Sequence, residues 1–262
     1  VAVEEINAAG GILGRQVEVI TTDDQGDPTE CLNAFNSLVA EGVGLIIGSA
    51  TSGCTSAITE AANEEEICLL APTATADSVT TEDDYIFRAC YADSFQGAIA
   101  AAYAKKAGYT KVGVVYCAAD VYSKGLYDSF SAACEGYGVE VAAVESTASL
   151  DVQDYTNQFA AMANAGVELV YAPFYYDVVG PYVIPQARAA GALLGFHIGL
   201  GIKAHGFVQF GRKGLTGRAH GGQTVTRHGF QQQLAGHGHA LEHVLAGLVL
   251  AAVLQGQVEV VQ

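Results

Sequence analysis

The chain has 262 residues, half of them hydrophobic, with a formal net charge of −16 at pH 7. That length allows one large or two ordinary domains, each with a substantial core. The charge argues against a nucleic-acid partner, whose phosphates need Lys and Arg, and it suits a soluble protein in a salty or extracytoplasmic setting.

Residues 1–10 read as a helix ended by Gly10 and Gly11, with no signal-peptide pattern. A fold of this type ordinarily has a strand before such a helix, so a preceding strand is expected to be missing. Residues 16–21 alternate polar and apolar and predict a strand. Asp23-Asp-Gln-Gly-Asp-Pro28 predicts a turn with Pro28 near the first helical position, followed by a helix to about residue 40. A strand over 43–47, a helix over 52–64 and a strand over 67–70 come next. An acidic loop follows Thr75 and leads to a short run at 85–88.

A helix over 94–106 is predicted to start behind Asp93 as its N-cap. Strands over 111–116, 139–144 and 168–172 then alternate with helices over 122–136, 154–165 and 178–190. Pro181 and Pro185 are expected to break or delay the last of these helices. Alternation of this kind implies βαβ units and parallel sheets. Between residues 87 and 93 one run of units stops and another begins, and a hinge between two lobes is placed there. The expected organisation is an α/β fold with two Rossmann-like lobes, residues 1–92 and 93–194, and a different segment over 195–262.

That last segment has another alphabet. Beyond residue 191 the only acidic residues are Glu242 and Glu259, all 7 His lie at 197 or later, and all 13 Tyr lie at 182 or earlier. Residues 241–254 are strongly apolar but short of the about 20 residues that a membrane-spanning helix needs.

Two loops stand out for chemistry. Ile47-Gly-Ser-Ala-Thr-Ser-Gly-Cys-Thr-Ser56 and Ala71-Pro-Thr-Ala-Thr75 each follow an apolar strand with small hydroxyl residues. Such loops let a ligand approach the backbone, and the helix starting near Ser52 offers free N–H groups and a positive dipole end to an anion. For the first loop taken alone, ordinary capping by Thr51 or Ser52 is the favoured account. Two such loops at the carboxyl ends of neighbouring strands favour a ligand site. Tyr122 and Tyr175 also follow strands, and either cover a ligand or fill a surface or inter-lobe contact. Asp120 either meets an ammonium group or caps the next helix.

The chain contains no P-loop, no GxGxxG opening a βαβ unit, no HExxH and no GxSxG. His237, His239 and His243 could share a helix face, but no cysteine or carboxylate pattern supports a metal there. A Ser–His or Cys–His nucleophile is disfavoured because residues 1–191 hold no His. The six cysteines show no CxxC spacing. Cys68 and Cys117 read as buried thiols, and a Cys31–Cys54 disulfide is one pairing among those that sequence leaves open.

Several motifs in order are familiar together. They are Glu4-Glu-Ile-Asn-Ala-Ala-Gly-Gly-Ile-Leu-Gly-Arg15, Asp23-Asp-Gln-Gly-Asp-Pro28, Ala71-Pro-Thr-Ala-Thr-Ala76, Asp93-Ser-Phe-Gln-Gly97, Tyr122-Ser-Lys-Gly125 and Gln186-Ala-Arg-Ala-Ala-Gly191. Residues 1 to about 191 resemble the substrate-binding proteins of branched-chain amino-acid ABC transporters, the leucine/isoleucine/valine-binding family with the type I periplasmic-binding fold. The resemblance implies a monomeric extracytoplasmic protein, periplasmic or held at the cell surface as a lipoprotein. It would bind an amino acid between its lobes and present it to a membrane permease, with no enzymatic activity, no cofactor, no metal and no membrane span of its own. By position, Ser52, Thr73, Ala74 and Thr75 would hold the ligand's α-carboxylate and α-ammonium, and Tyr122 and Tyr175 would close over it.

Three departures accompany the resemblance. The first strand and its leader are expected to be missing ahead of residue 1, the acidic residue expected just past Leu194 is replaced by Gly195-Phe-His-Ile198, and the return to the first lobe is not recognisable. Residues from about 192 onward are therefore read as out of frame or otherwise non-native. Readings kept beside the transport role are a ligand-sensing domain of a receptor or regulator, an amide or small-acid binder of the same transport family, and a hydrolase using Ser52.

Overall fold

The computed structural model describes residues 1–80 and 85–191, so the expectations for residues 192–262 lie outside the described residues. Two three-stranded parallel sheets organise these residues.

Helix α1, Ala2–Ala8, comes first. Helix α2, Pro28–Ala40, begins where the turn chemistry predicts. Asp27 is its N-cap, accepting the N–H groups of Thr29 and Glu30 at 2.8 and 3.1 Å, and Pro28 occupies a position whose N–H would have no helical partner. Strand β1, Leu45–Ile47, leads into α3, Ser52–Glu64, which returns the chain to β2, Cys68–Ala71. This is a βαβ unit, with Leu45 paired to Cys68 and Ile47 to Leu70. A 3₁₀ turn at Asp77–Val79 precedes β3, Ile86–Arg88, which joins β2 in parallel. Phe35 and Leu38 of α2, Ile58 of α3, and Leu69 and Ile86 of the sheet form one core. Burying a side chain such as Phe35 contributes about 1.5–3 kcal/mol.

Residues 16–21 do not form the strand that their alternation predicts. They take no regular secondary structure, and Val17 is held by both polar ends of the Asn7 amide: its N–H donates to Oδ1 at 2.7 Å, and its carbonyl accepts from Nδ2 at 2.9 Å. Alternation describes a side-chain pattern, whereas a strand requires a paired neighbour. No described strand lies beside this segment, and Val19 and Ile20 are exposed.

The second sheet has the order β5-β4-β6. Helix α4, Asp93–Lys106, precedes the central strand β4, Lys111–Cys117. Helix α5, Val121–Tyr137, then leads to β5, Glu140–Thr147. Helix α6, Thr156–Asn164, leads to β6, Leu169–Tyr171. Strand β4 is buried on both faces, as a near-continuous apolar run between two helical layers should be. Val112 and Val114 face Ala101 and Ala104 of α4 and Leu126 and Phe130 of α5. Val115 and Cys117 point the other way, toward Phe159 and Met162 of α6.

The predicted interruption near Pro181 takes a definite form. Helix α7, Tyr176–Val178, passes through a π-helical stretch at Val179–Val183 into α8, Ile184–Ala189. Pro181 falls inside that stretch, and Pro185 sits at the start of α8, where its missing donor matters least.

Asp93 does not cap α4. Ala92 is the N-cap residue and offers no side chain, while Asp93 is the first residue of the helix. The first turn is held from the other sheet's side of the molecule. Asp77 accepts the Ser94 N–H at 2.9 Å and the Ser94 hydroxyl at 2.6 Å. A carboxylate from the 75–80 loop thus performs the capping, and Asp93 is left to point inward.

Candidate functional site

The carboxyl ends of β1, β2, β4 and β6 carry the loops that the sequence singled out. After β1, the Thr51 hydroxyl accepts the Cys54 N–H at 3.4 Å and caps α3. Ser52 opens the helix and is buried, and its Oγ accepts the Ala76 N–H at 3.2 Å. The capping role therefore belongs to Thr51, and Ser52 ties the β1 loop to the β2 loop.

The second loop is braced from three sides. Thr73 donates its hydroxyl to the Ala50 carbonyl at 2.6 Å, which makes it a strut between the loops. Ala74 is fully buried, and its carbonyl accepts from the Cys90 thiol at 3.4 Å. Arg88 donates to the carbonyls of Thr75 and Ala76 at 2.9 and 2.8 Å and to the Thr80 hydroxyl. The Thr75 carbonyl also accepts the Asp93 N–H at 2.8 Å. Nothing in the sequence signals that the Arg88 guanidinium organises a loop some twelve residues earlier in the chain.

This bracing leaves the Thr75 side chain facing Asp93. Both residues are buried, and the Thr75 hydroxyl lies close enough to favour the charged form of the Asp93 carboxyl. Even so, neither Thr75 Oγ1 nor Asp93 Oδ2 completes a hydrogen bond of ordinary geometry among the described residues. Asp93 Oδ1 accepts from Gln96 at 3.3 Å. Burial raises the Asp93 pKa to about 7. Asp77 and Asp120 push in the same direction, and the Thr75 hydroxyl and Arg88 oppose them. Asp93 Oδ2 also faces Gly125 of α5, so this acid sits where the two halves meet.

The aromatic side is built on α5 and the loop after β6. Tyr122, in the first turn of α5, is buried and stacks on Tyr175 with ring centroids 4.8 Å apart and planes 21° from parallel. The Tyr175 hydroxyl is enclosed and has no hydrogen-bond partner among the described residues. Burial raises its pKa far above that of an exposed tyrosine, and the charges that reinforce this include Asp120, Cys54 and Asp93. Asp120 caps α5, accepting the Ser123 N–H at 2.8 Å, and burial raises its pKa.

The structure thus ties Ser52 to the loop that carries Thr75 and stacks Tyr122 on Tyr175, with Asp93 reaching from beside Thr75 to Gly125 of α5. Thr73 and Ala74 shape the Thr75 loop through the backbone. Asp93 is the residue that sequence reasoning missed, because its position beside a helix start reads locally as a cap. Among the described residues, no group of three or more His, Cys, Asp or Glu could hold a metal ion, and no helix is long and apolar enough to cross a membrane.

A profile of the periplasmic binding protein family matches residues 1–232. A Leu/Ile/Val-binding protein homolog of Brucella melitensis is 32% identical over 176 residues, covering 67% of this chain and 48% of its own length. The leucine-, isoleucine-, valine-, threonine- and alanine-binding protein of Pseudomonas aeruginosa is 30% identical over 191 residues, 72% of this chain and 51% of its own. The chain therefore spans about half the length of the curated relatives it matches. Among solved structures, a branched-chain amino-acid transporter substrate-binding protein of Streptococcus pneumoniae, in complex with isoleucine, superposes with a TM-score of 0.65. It is 34% identical, with 74% of this chain and 56% of that one covered. A leucine-binding protein of Thermotoga maritima gives a TM-score of 0.68 at 26% identity, covering 74% of this chain and 56% of that one.

Proposed function

The chain belongs to the periplasmic binding protein family, and from that premise we propose that it is the extracytoplasmic substrate-binding component of an ABC importer for a branched-chain or other small amino acid. The family binds and delivers rather than converts, so the site needs no nucleophile. The ligand's α-carboxylate lies against the amino-terminal turn of α3 and Ser52, where N–H groups and the helix dipole favour an anion. Its α-ammonium lies at Thr75 and the backbone of Thr73 and Ala74, with the Asp93 carboxyl behind them supplying negative field. Tyr122 and Tyr175 cover the aliphatic part.

The hinge falls near residue 92, between the two sheets, and the monomer closes when a ligand touches both lobes at once. The closed form then docks on a membrane permease. The observation that supports this reading is that buried polar atoms of both halves, Thr75 Oγ1, Asp93 Oδ2 and Tyr175 Oη, lack a hydrogen bond of ordinary geometry among the described residues, with Tyr175 electrostatically coupled to Asp93. Buried polar groups in folded proteins are nearly always satisfied, so exceptions that cluster mark a place for a polar ligand.

A thermal-shift screen tests the proposal. Leucine, isoleucine or valine should raise the melting midpoint of the chain more than any sugar does. Thr75→Ala should keep the fold and weaken binding by roughly 10- to 150-fold, as expected for a hydrogen bond to a charged group of about 1.5–3 kcal/mol. A larger shift with sugars rejects the substrate class, and unchanged affinity in the variant removes Thr75 from the site.

A further inference from the structure

The six cysteines are free thiols, and two of them meet. Cys31 lies in the first turn of α2 and Cys54 in the first turn of α3, and both are buried in the same core. The Cys31 thiol is within hydrogen-bonding reach of the Cys54 thiol, and the Ser49 hydroxyl interacts with each of them. The Ser49 hydroxyl also donates to Asp24. Cys68 and Cys134 are perturbed by burial alone, and Cys90 by burial, Arg88 and Asp93, so the fold singles out the 31–54 pair.

We propose that Cys31 and Cys54 form a disulfide that clamps α2 to the amino-terminal turn of α3, directly beneath the Ser49–Ser52 loop. The chemistry is thiol–disulfide exchange with an external disulfide oxidant. One protein thiolate attacks an oxidant sulfur, forms a mixed disulfide and releases one oxidant thiolate. The other protein thiolate then attacks the protein sulfur of that mixed disulfide, and the second oxidant thiolate leaves. The two protons lost by the cysteines end on the two released thiols, so the oxidant is reduced as the protein pair is oxidised.

Burial also sets when this happens. The thiolate is the reactive form, and burial, together with the neighbouring Cys54 and Asp24, pushes the Cys31 thiol up to about 12. Both thiols are buried once the core has formed, beyond the reach of an external oxidant, so the bond closes while α2 and α3 are still assembling and the thiols remain exposed. Afterwards it is shielded from reductant by the same core. The extracytoplasmic placement proposed above supplies the oxidant. The ligand's identity plays no part, so failure of the amino-acid reading leaves this inference standing.

The experiment refolds the denatured full chain at mildly alkaline pH with oxidised glutathione, blocks remaining thiols and maps the unreduced peptides by mass spectrometry. A crosslink between the peptides carrying Cys31 and Cys54 should dominate. The oxidised chain should melt about 5 °C or more above the reduced one, and Cys31→Ala/Cys54→Ala should lose that difference. Oxidised glutathione added to the already folded, reduced protein should leave both thiols open to alkylation after denaturation. Recovery of Cys31 and Cys54 as blocked or glutathionylated thiols after oxidative refolding, or their pairing mainly with other cysteines, overturns the proposal. So does a melting difference that persists in the double variant.

Discussion

Asp93 is fully buried, yet the folded protein gives its second carboxylate oxygen no completed hydrogen bond. Its pKa, raised from 3.8 to about 7 chiefly by desolvation, makes it a source of pH-dependent stability. The folded state keeps this proton at pH values where the unfolded chain has lost it. The resulting stabilisation is complete below the unfolded value, declines as pH rises through the interval, and is gone above the folded value. Asp93→Asn, which keeps the shape and cannot ionise, should lack this decline. The difference in unfolding free energy, wild type minus variant, should fall by about 3 kcal/mol between about pH 4.5 and pH 8. Urea melts across that range measure it, and a flat difference would assign the buried acid no titration there. At this scale the sequence was half legible. Ser52 and Thr75 stood out because small hydroxyl residues directly after an apolar strand are a local pattern. The partners of Asp93 were not visible, because a neighbouring helix start offers it an equally good local use, and only the fold shows that Asp77 takes that use instead.

Helices α4 and α5 show what governs the second half. Gly97 of α4 lies so close to α5 that a Cβ added there would meet the Phe130 backbone nitrogen at 2.6 Å and the Ser129 Cβ at 2.7 Å. The row of alanines in α4 serves the same close approach, with Ala101 and Ala104 fully buried. Helix propensity alone would make Gly97→Ala favourable by about 1 kcal/mol. The contact is with backbone, which cannot swing aside, so overpacking should win and the variant should lose about 1–3 kcal/mol in a chemical melt. A stabilised variant would show that the two helices part easily. The Ala-rich pattern was legible as a helix and silent about its partner, since close packing is a property of two surfaces. The same distinction explains residues 16–21, where alternation was read correctly and pairing was not. The βαβ order survived from sequence to structure because strand and helix periods differ sharply over ten or more residues. The π-helical stretch at Val179–Val183 was legible only as a disturbance at Pro181, whose form depends on how the neighbouring turns recover their hydrogen bonds.

The described residues form two sheets with separate cores, and the residues proposed to bind lie in loops at the carboxyl ends of strands of both sheets. Ser52 and Thr75 belong to the first sheet's loops, Tyr122 and Tyr175 to the second's. A ligand favours closure only by its extra affinity for the closed form, and that extra affinity must come from the lobe it reaches last. If it first settles against the Ser52–Thr75 loops, the tyrosines supply the difference. Removing a tyrosine should then affect closure more than initial capture, and removing Thr75 should affect both. Saturating leucine should reduce the radius of gyration of the wild-type chain in solution scattering. Tyr175→Ala should still bind, with affinity reduced at least tenfold and little or no contraction. Thr75→Ala should show neither tight binding nor contraction at the same ligand concentration. Moving a two-state equilibrium from mostly open to mostly closed takes about 5.5 kcal/mol of differential binding. A stacked aromatic pair and one hydroxyl supply part of that, so the free protein must already rest within a few kcal/mol of closure. Contraction of Tyr175→Ala equal to that of wild type would place the closing force elsewhere, while tight binding with no contraction in any variant would end the hinge mechanism and leave the binding site intact.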